Sequence, residues 1–442
     1  MNIKSITIGG FKNIASTKIA LDKIVVLVSP NNYGKSNLIE AINFGVDFLT
    51  AGKKNRKAMM KWLKGIPLVS SLAQEDFRFE LEFDDPELGE YRHVKYGFSF
   101  SWFRDDGTGQ RITDEWLEAR KTESIRYSSF IRRNDSKYRK SYSTTAYRNV
   151  LLDESQLAID VISSIENIDI ADVVKSIQNV KCQICSSLDM QARFTPSAIE
   201  FIYTDDGDAH IDFDDEDLPK ALFNLRKSHP EKYTLFREAF FTLFPEFTDF
   251  SLQSFELKDE QTEKLRAIIS ERENNKDGAN YPIPFQLKEE MHRMMVESEH
   301  INQPINASLM STGTKRIVWL LANIFMSNCS GISLLGIEEI ETSIHPRQLK
   351  KLLEILINSQ GNTKIIASSH SPFIIQYLKL EQIYIGLPGG GTATFRNVSD
   401  SKTKNLRTAS RNLGVSAGEY LFELMSGGSD SANILNQYLE VM

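Results

Sequence analysis

The stretch VVLVSPNNYGKSNLIEAI, residues 25–42, decides the fold of this chain. An apolar, β-branched run ends in a short polar loop, and a helix-like pattern begins at Lys35. Gly34, Lys35 and Ser36 match the end of a GxxxxGK[ST] loop, in which backbone N–H groups hold phosphate at a helix N-terminus. We therefore predict that Lys35 reaches the β- and γ-phosphates of a nucleotide and that Ser36 holds Mg²⁺.

The loop departs from this pattern at its first position, where Ser29 stands in place of glycine. A serine fits there if its backbone keeps a negative φ. A motif this short also occurs in ordinary strand–turn–helix connections. The rest of the sequence is therefore needed to distinguish a phosphate-binding loop from an ordinary connection.

Length and charge limit the classes of protein that this chain can belong to. Its 442 residues exceed what one core holds, so two or more lobes are expected. With 52 basic and 59 acidic residues the net charge is −7, which argues against a general nucleic-acid coat but not against a local basic face. No apolar run approaches the roughly 20 residues that span a bilayer, and the N-terminus lacks a signal-peptide pattern. We expect a cytoplasmic protein.

Two cysteines form a CxxC pair, Cys182 and Cys185, within VVKSIQNVKCQICSSL. The pattern of this segment predicts an apolar helix. No second Cys/His pair stands near it, so buried structural thiols are favoured over a metal or redox site.

The character of the chain changes between residues 104 and 305. Helical periodicity is clear in residues 154–177 and from Tyr233 to Leu243, without a sustained heptad pattern. We predict a compact, mainly helical lobe, residues 104–305, inserted between the two parts of an α/β core, residues 1–103 and 306–442.

Two charged tracts lie inside this predicted lobe. From Tyr127 to Val150, aromatic residues alternate with basic ones, namely Arg132, Arg133, Lys137, Arg139, Lys140 and Arg148. This pattern suits a DNA contact through backbone phosphates and stacking, and a solvated loop is the alternative. The acidic tract of residues 204–218 does not fit a calcium-binding loop, which favours a solvated loop.

Beyond residue 305, polar residues follow apolar strands. Glu338 and Glu339 follow the predicted strand Leu334–Ile337, and His370 follows the next strand in the sequence SSHSP. One carboxylate can hold a metal, the other can orient an attacking water, and the histidine can donate to a γ-phosphate. A hairpin is predicted around Gly389 to Gly391. The pattern favours a parallel sheet with its site at the carboxyl edge.

These motifs together resemble those of ABC-type ATPase heads. Ser29–Ser36, Ser311-Thr312-Gly313, Ile337–Pro346 (IEEIETSIHP) and the SSHSP turn are similar to the Walker A, signature, Walker B/D-loop and switch-histidine motifs, in that order. The chain most resembles the ATPase part of the overcoming-lysogenization-defect (OLD) family and related AAA-like proteins of bacterial antiphage systems, over about residues 1–100 and 305–425. The resemblance implies a P-loop NTPase of ABC-head type that uses ATP and Mg²⁺.

The resemblance also implies a role for each matching residue. Glu339 is the catalytic base and His370 the switch histidine. Ser36, Glu338 and the Q-loop candidate Gln74 are placed at the metal. Lys12 is a weaker candidate for the rim of the nucleotide site, and Ile340 stands where proline is common. The residues placed at the nucleotide are Asn31, Asn32, Gly34, Lys35, Ser36 and Asn37, with Ser311 and Gly313 of the signature.

In such heads the signature touches the γ-phosphate of ATP held by the other subunit, which implies a homodimer or a higher homo-oligomer. Many OLD-family proteins continue into a TOPRIM nuclease, but no further carboxylate set follows Gly427 to Asp430. We therefore expect no nuclease site in this chain and a separate effector, a nuclease. Two functions stay open: a nucleotide-gated switch in antiphage defence, and a DNA-repair or DNA-maintenance ATPase that clamps DNA.

Overall fold

The computed structural model describes residues 1–133, 137–138, 148–149, 152–162, 169–186, 189–195, 197–201, 216–256, 263–264, 267, 285–389 and 391–440. The chain forms two compact units. The first unit contains residues 1–186, 331–341 and 360–442, and the second contains residues 187–330 and 342–359.

The described strands are β1 (Asn2–Gly9), β2 (Thr17–Ala20), β3 (Ile24–Val28), β4 (Phe77–Asp84), β5 (His93–Ser101), β6 (Arg111–Arg120), β7 (Ser128–Arg132), β8 (Lys137–Tyr138), β9 (Arg148–Asn149), β10 (Cys182–Cys185), β11 (Ile199–Phe201), β12 (Phe247–Glu256), β13 (Phe285–Leu287), β14 (Glu290–Ser298), β15 (Ile305–Asn306), β16 (Leu334–Ile337), β17 (Lys364–Ser369), β18 (Ile383–Gly389) and β19 (Thr392–Asn397).

The described α-helices are α1 (Lys35–Thr50), α2 (Lys53–Met59), α3 (Ala158–Ile162), α4 (Ala171–Gln178), α5 (Met190–Phe194), α6 (Leu218–Ser228), α7 (Pro230–Leu243), α8 (Thr312–Cys329), α9 (Pro346–Ser359), α10 (Pro372–Tyr377), α11 (Asp400–Asn412), α12 (Ala417–Ser426) and α13 (Ser429–Asn436). Short 3₁₀ turns occur at Ala307–Leu309 and Leu380–Gln382.

A six-stranded sheet of the first unit carries the site. Its strand order is β10-β16-β17-β3-β18-β19, and every pair is parallel except the β18–β19 hairpin. All residues of β3 and β16 are buried, as expected for strands covered on both faces. The carboxyl ends of β3, β16 and β17 therefore meet at one edge. The predicted parallel sheet and the predicted hairpin are both confirmed.

The second sheet of this unit is antiparallel, with the order β2-β1-β4-β5-β6-β7-β8-β9. Buried and more exposed residues alternate along β4, so one face of that strand turns to the core. The predicted antiparallel pairing of the two strands around residues 77–101 is confirmed, because β4 and β5 pair from Phe77↔Phe100 to Asp84↔His93.

Helix α1 packs against both sheets of the first unit. On one side its phenylalanines meet the antiparallel sheet: the ring centroids of Phe44 and Phe77 are 5.1 Å apart, and those of Phe48 and Phe100 are 4.6 Å apart. On the other side Ile39 contacts the parallel sheet at Gly336, where an added Cβ would lie 2.6 Å from Ile39 Cγ2. These contacts fix the N-terminus of α1, and with it the phosphate loop.

The second unit contains helices α5 to α9 and two small sheets, β11–β13 and β12-β14-β15. Its aromatic core includes Phe236 and Phe240 of α7, with Phe250 of β12 at ring distances of 6.0 and 4.9 Å. Helix α7 confirms the helix predicted from Tyr233 to Leu243. Helix α8 is buried along most of its length and begins at the predicted signature.

The division into an α/β core, residues 1–103 and 306–442, and an inserted lobe, residues 104–305, stays a prediction. The compact units have other bounds, because β6 pairs with β5 and extends the antiparallel sheet of the first unit past residue 104. The helix predicted across the CxxC pair is wrong: α4 ends at Gln178, and Cys182–Cys185 forms edge strand β10, parallel to β16. The spacing of the two cysteines places them on opposite faces of β10. Burial raises the pKa of the Cys182 thiol, in line with a structural role.

Both charged tracts lie largely outside the described residues. Residues 134–136, 139–147 and 150 of the basic tract and residues 204–215 of the acidic tract belong to the undescribed part. Arg133, one of the basic residues predicted to contact DNA, donates to the backbone oxygens of Gln156 and Asp153. Among the described helices, none has the length and apolar character needed to cross a membrane.

Candidate active site

The phosphate loop connects β3 to α1. Gly34 caps the helix with φ 97°, and Asn32 also has a positive φ of 60°. A Cβ added at Gly34 would lie 2.9 Å from Ala393 Cβ and 3.0 Å from Asn13 Oδ1, so this position combines a left-handed backbone with a tight space. The loop is thus held in a conformation that only glycine adopts without strain at position 34.

Ser29 keeps a negative φ, which satisfies the condition set by the sequence. Its side chain is buried and its hydroxyl donates to the backbone oxygen of Pro30 at 3.1 Å. The facing residue on β18 is Gly386, where an added Cβ would lie 2.8 Å from Ser29 Cβ. A serine is therefore accommodated at the first position of the loop.

Lys35 is buried at the start of α1. Its ammonium group donates to the backbone oxygens of Ser29 at 2.8 Å and Pro30 at 3.1 Å, and lies 3.2 Å from His370 Nδ1. Burial lowers the pKa of Lys35 to about 8, while the carboxylates of Glu341 and Glu339 oppose this shift. The carboxylates thus favour the charged lysine that phosphate binding needs.

Three carboxylates follow β16: Glu338, Glu339 and Glu341. The Glu338 N–H donates to the Cys185 oxygen at 3.0 Å, which continues the pairing with β10. Glu339 then takes a left-handed φ of 46°, and its N–H donates to Ser368 Oγ at 3.0 Å. A non-glycine residue in this region is strained, and such strain is concentrated at functional sites.

Ile340 replaces the proline that the resemblance led us to expect. Its N–H donates to the Ser368 backbone oxygen at 3.1 Å. A proline has no N–H and could not make this bond. The departure thus ties the segment after β16 to the end of β17.

His370 lies directly after β17, the strand between β16 and β3 in the sheet. Its backbone N–H donates to Glu341 Oε1 at 2.6 Å, and its Nδ1 faces Lys35. Burial and the charge of Lys35 lower the pKa of His370, while Glu341 and Glu339 oppose the shift. The imidazole is therefore kept neutral near pH 7. Because a lysine ammonium only donates, Nδ1 accepts, and the ring proton is carried on Nε2.

The structure brings most of the predicted site residues of the first unit together. A cavity of about 590 Å³ is lined by Asn31, Asn32, Tyr33, Gly34, Lys35, Ser36, Asn37, Glu339 and His370. Glu338 lies next to this lining, at the end of β16.

Two weaker candidates are placed differently. Gln74 is exposed before β4 and is not among the residues that line the cavity. Lys12 pairs with Glu40 and lies 3.4 Å from Asn37 Oδ1. A role for Gln74 at the metal stays a prediction.

The predicted signature residues belong to the second unit. Ser311 caps α8, and its Oγ accepts from the Thr314 N–H at 3.1 Å. A Cβ on Gly313 would lie 2.3 Å from the Ser343 backbone oxygen, so this position requires glycine. Ser311 and Thr312 are exposed at the start of α8, where a hydroxyl and a helix N-terminus suit phosphate binding.

Sequence reasoning missed two polar residues around the cavity. Asn13 accepts from Asn37 Nδ2 at 2.8 Å and lies beside Gly34. Glu341 holds the backbone of His370. A third carboxylate within four residues of a buried strand was a signal for Glu341, whereas the position of Asn13 depends on the packing of distant segments.

Comparison with protein families matches residues 24–376 to the family described as "AAA domain, putative AbiEii toxin, Type IV TA system". No curated protein gives a significant match.

Among solved structures, the chain is similar to three SMC heads. They are the SmcHead bound to the C-winged helix domain of ScpA (14% identity, 92% of this chain and 100% of that chain covered, TM-score 0.48), the SMC head domain from Thermotoga maritima (11%, 90% and 100%, 0.44), and the Smc head domain with an extended coiled coil bound to the C-terminal domain of ScpA from Pyrococcus furiosus (13%, 93% and 99%, 0.44).

The family match agrees with the observed parallel sheet and phosphate loop, so the predicted α/β P-loop fold is confirmed. The finer resemblance to the OLD family stays a prediction. The match covers most of the chain, and the chain belongs to the family of AAA domains described as putative AbiEii toxins of type IV TA systems.

Proposed function

We propose that this chain binds ATP with Mg²⁺ on the loop of residues 29–37 and hydrolyses it. The observation that carries the proposal is one cavity in which the phosphate loop meets the side chains of Lys35, Glu339 and His370. Backbone N–H groups at the start of α1 and the Lys35 ammonium offer positive charge to phosphate. The cavity, about 590 Å³, has the size of a small-molecule site.

The donors near the loop suit Mg²⁺. Ser36 is exposed in the first turn of α1, and Glu338 directly follows β16, which is separated from β3 by β17 in the sheet. Both offer oxygen, the ligand type that Mg²⁺ prefers. Bound there, Mg²⁺ would supply positive charge against the phosphate oxygens.

Each remaining residue has one task in the hydrolysis. Glu339 orients the attacking water and accepts its proton. Lys35 neutralises the phosphate oxygens, and His370 donates from Nε2 to the γ-phosphate. The role of His370 follows from the contact of Lys35 with His370 Nδ1, because this contact leaves the proton on Nε2 to be donated.

A second copy of the chain completes the site in this proposal. Ser311 and Gly313 of the second copy bind the γ-phosphate, so two ATP molecules are sandwiched in a head-to-tail pair. ATP then shifts the monomer–dimer equilibrium by its difference in affinity for the two states. Hydrolysis removes that shift, which makes the protein a nucleotide-gated switch.

The switch acts in antiphage defence and controls a separate effector, a nuclease. The description of the family names a putative toxin of a type IV TA system. We take this description as support for a role in antiphage defence. The effector is encoded separately from this chain in the proposal.

The test compares two variants of the cavity. Glu339→Gln keeps the volume of the side chain but removes the base, so turnover should fall by 100-fold or more, by an order-of-magnitude estimate, while ATP still binds and holds the dimer. Lys35→Ala should instead lose nucleotide affinity. Turnover is measured by phosphate release, affinity by ATP titration and assembly by light scattering. Wild-type turnover in Glu339→Gln would remove Glu339 as the base, and an unchanged titration of Lys35→Ala would remove the phosphate-loop assignment.

A DNA-repair or DNA-maintenance ATPase is the alternative, and the fold is equally compatible with it. Tight binding to DNA ends or gaps, weakening steeply with salt, would support a DNA clamp. Co-purification with a nuclease encoded next to this chain, without such DNA binding, would support the defence switch.

A further inference from the structure

Glu341 has no role in the proposed hydrolysis as described above, yet it contacts His370 and its charge acts on Lys35. Its Oε1 accepts the backbone N–H of His370 at 2.6 Å. Its Oε2 is shielded from solvent and has no hydrogen-bond partner among the described residues. Burying a carboxylate oxygen without a hydrogen-bond partner costs free energy. The presence of a glutamate at position 341 therefore needs an explanation.

The contact with Glu341 is one of two anchors on His370. Glu341 fixes the backbone of the histidine, and Lys35 fixes Nδ1 of its ring. A bond from an N–H to a carboxylate is stronger and shorter than one to a neutral oxygen. The two anchors together limit both the position and the rotation of the imidazole.

The neighbouring residues have their own local bonds. The Ser371 N–H donates to Ser369 Oγ at 3.0 Å, and Ser371 Oγ accepts from the Phe373 N–H at 3.3 Å at the start of α10. Glu339 and Ile340 bond to Ser368. The turn after β17 is therefore closed without Glu341, whose contact serves His370 itself.

We propose that Glu341 is a positioning residue of this ATPase site, which holds the backbone of His370 so that the imidazole stays against Lys35 with Nε2 free to donate. This inference rests on the proposed function and deepens it. The negative charge of Glu341 also acts on both partners, since it raises the pKa of Lys35 and of His370 against the effect of burial.

The first experiment measures ATP turnover and ATP affinity in the full-length protein. Glu341→Ala should lower kcat by about 10- to 100-fold, since small displacements of a catalytic group have effects of this order. The dissociation constant of ATP should change much less. Glu341→Gln keeps an acceptor oxygen for the His370 N–H and should recover part of the loss. The control, Glu381→Ala, removes an exposed carboxylate of the same unit and should behave as wild type.

The second experiment asks whether Glu341 acts through His370. In a His370→Ala background, Glu341→Ala should have little further effect on kcat, because the group that it positions is gone. Hydrogen exchange at the His370 amide gives a readout that needs no turnover: exchange should become faster in Glu341→Ala and stay slow in Glu341→Gln.

Four results would count against the inference. Wild-type kcat in Glu341→Ala, or effects of the two substitutions that multiply independently, would overturn it while leaving the proposed function intact. An unchanged exchange rate at the His370 amide in Glu341→Ala would show that the contact does not hold the backbone, and would also overturn it. A wild-type protein without ATP turnover would overturn the proposed function and, with it, this inference.

Discussion

Glu115 on β6 is fully buried, at 0% exposure. Its carboxylate accepts from the N–H groups of Ala158 at 2.6 Å and Ile159 at 3.2 Å, at the N-terminus of α3, and from the Tyr96 hydroxyl at 3.1 Å. Burial nevertheless raises the pKa of Glu115 to about 7 from an ordinary value of 4.5. Glu115 links α3 to the antiparallel sheet. The protonation state of its carboxyl group affects the stability of this link.

The raised pKa of Glu115 predicts a pH dependence of stability. Between about pH 4.5 and 7 the folded protein binds more protons than the unfolded one, so the contribution is fully present below pH 4.5 and is lost as the pH rises through 7. At about 1.4 kcal/mol per pH unit, the loss amounts to at most about 3–4 kcal/mol. Glu115→Gln should show a smaller fall in urea stability from pH 5 to 8 than wild type. Glu354→Gln on the exposed side of α9 is the control, and equal slopes in wild type and Glu115→Gln would contradict the prediction.

At the scale of elements, α1 connects the site to the core. Its interior contains Gly45, a residue that lowers helix stability by about 1 kcal/mol relative to alanine. The reason lies in the antiparallel sheet, since a Cβ on Gly45 would lie 2.2 Å from Phe79 Cδ2. Phe79 is fully buried and cannot move aside easily. Close packing of this helix on the sheet thus outweighs helix propensity.

Gly45→Ala should therefore destabilise the protein, although alanine is the better helix former. Overpacking of this kind costs about 1–3 kcal/mol, more than the propensity gain. The measurement is the urea midpoint of the purified variant. Gly52→Ala is the matched control, because an added Cβ there meets nothing within 4 Å. A variant Gly45→Ala more stable than wild type would show that the helix can shift on the sheet.

Local patterns predicted the elements that depend on nearby residues. The strand, loop and helix around Lys35 and the β18–β19 hairpin follow from apolar runs and turn residues. The strand at Cys182 could not be predicted in this way, because pairing with β16, far along the chain, overrides its helix-like pattern. The same holds for Glu341, whose contact depends on where β17 places His370.

At the scale of the whole molecule, the proposal assigns the residues of each ATP site to two different copies of the chain. The phosphate loop, Glu339 and His370 belong to the first unit, and Ser311 and Gly313 belong to the second. If a second copy supplies the signature, each chain contributes to both ATP sites of the dimer. A substitution in its first unit damages one of these sites, and a substitution in its second unit damages the other. This division gives a test of the assembly that needs no knowledge of the effector.

Two inactive variants should restore activity when they are mixed. Lys35→Ala damages the loop and Ser311→Arg damages the signature, so a mixed dimer holds one intact site of two. At equal amounts half of the dimers are mixed, and turnover should reach about a quarter of the wild-type value if the sites act independently. The measurement is phosphate release after the subunits have exchanged without ATP.

A second mixture is the matched control. Lys35→Ala and Glu339→Gln alter the same half of the site, so every mixed dimer contains two damaged sites and activity should stay absent. Recovery in this control, or no recovery in the first mixture, would contradict a site shared between copies.

Ser29 at the end of β3 lies beside Gly386 of β18, where an added Cβ would lie 2.8 Å from Ser29 Cβ and 2.8 Å from Phe395 Cε1. The glycine that the loop lacks is thus found on β18, the strand next to β3. Positions 29, 386 and 395 should therefore covary during evolution: relatives with a side chain at 29 should keep glycine at 386, and alanine or serine at 386 should require both glycine at 29 and a residue smaller than phenylalanine at 395. The first residue of the loop therefore cannot be judged as a match or a mismatch without the residue that faces it.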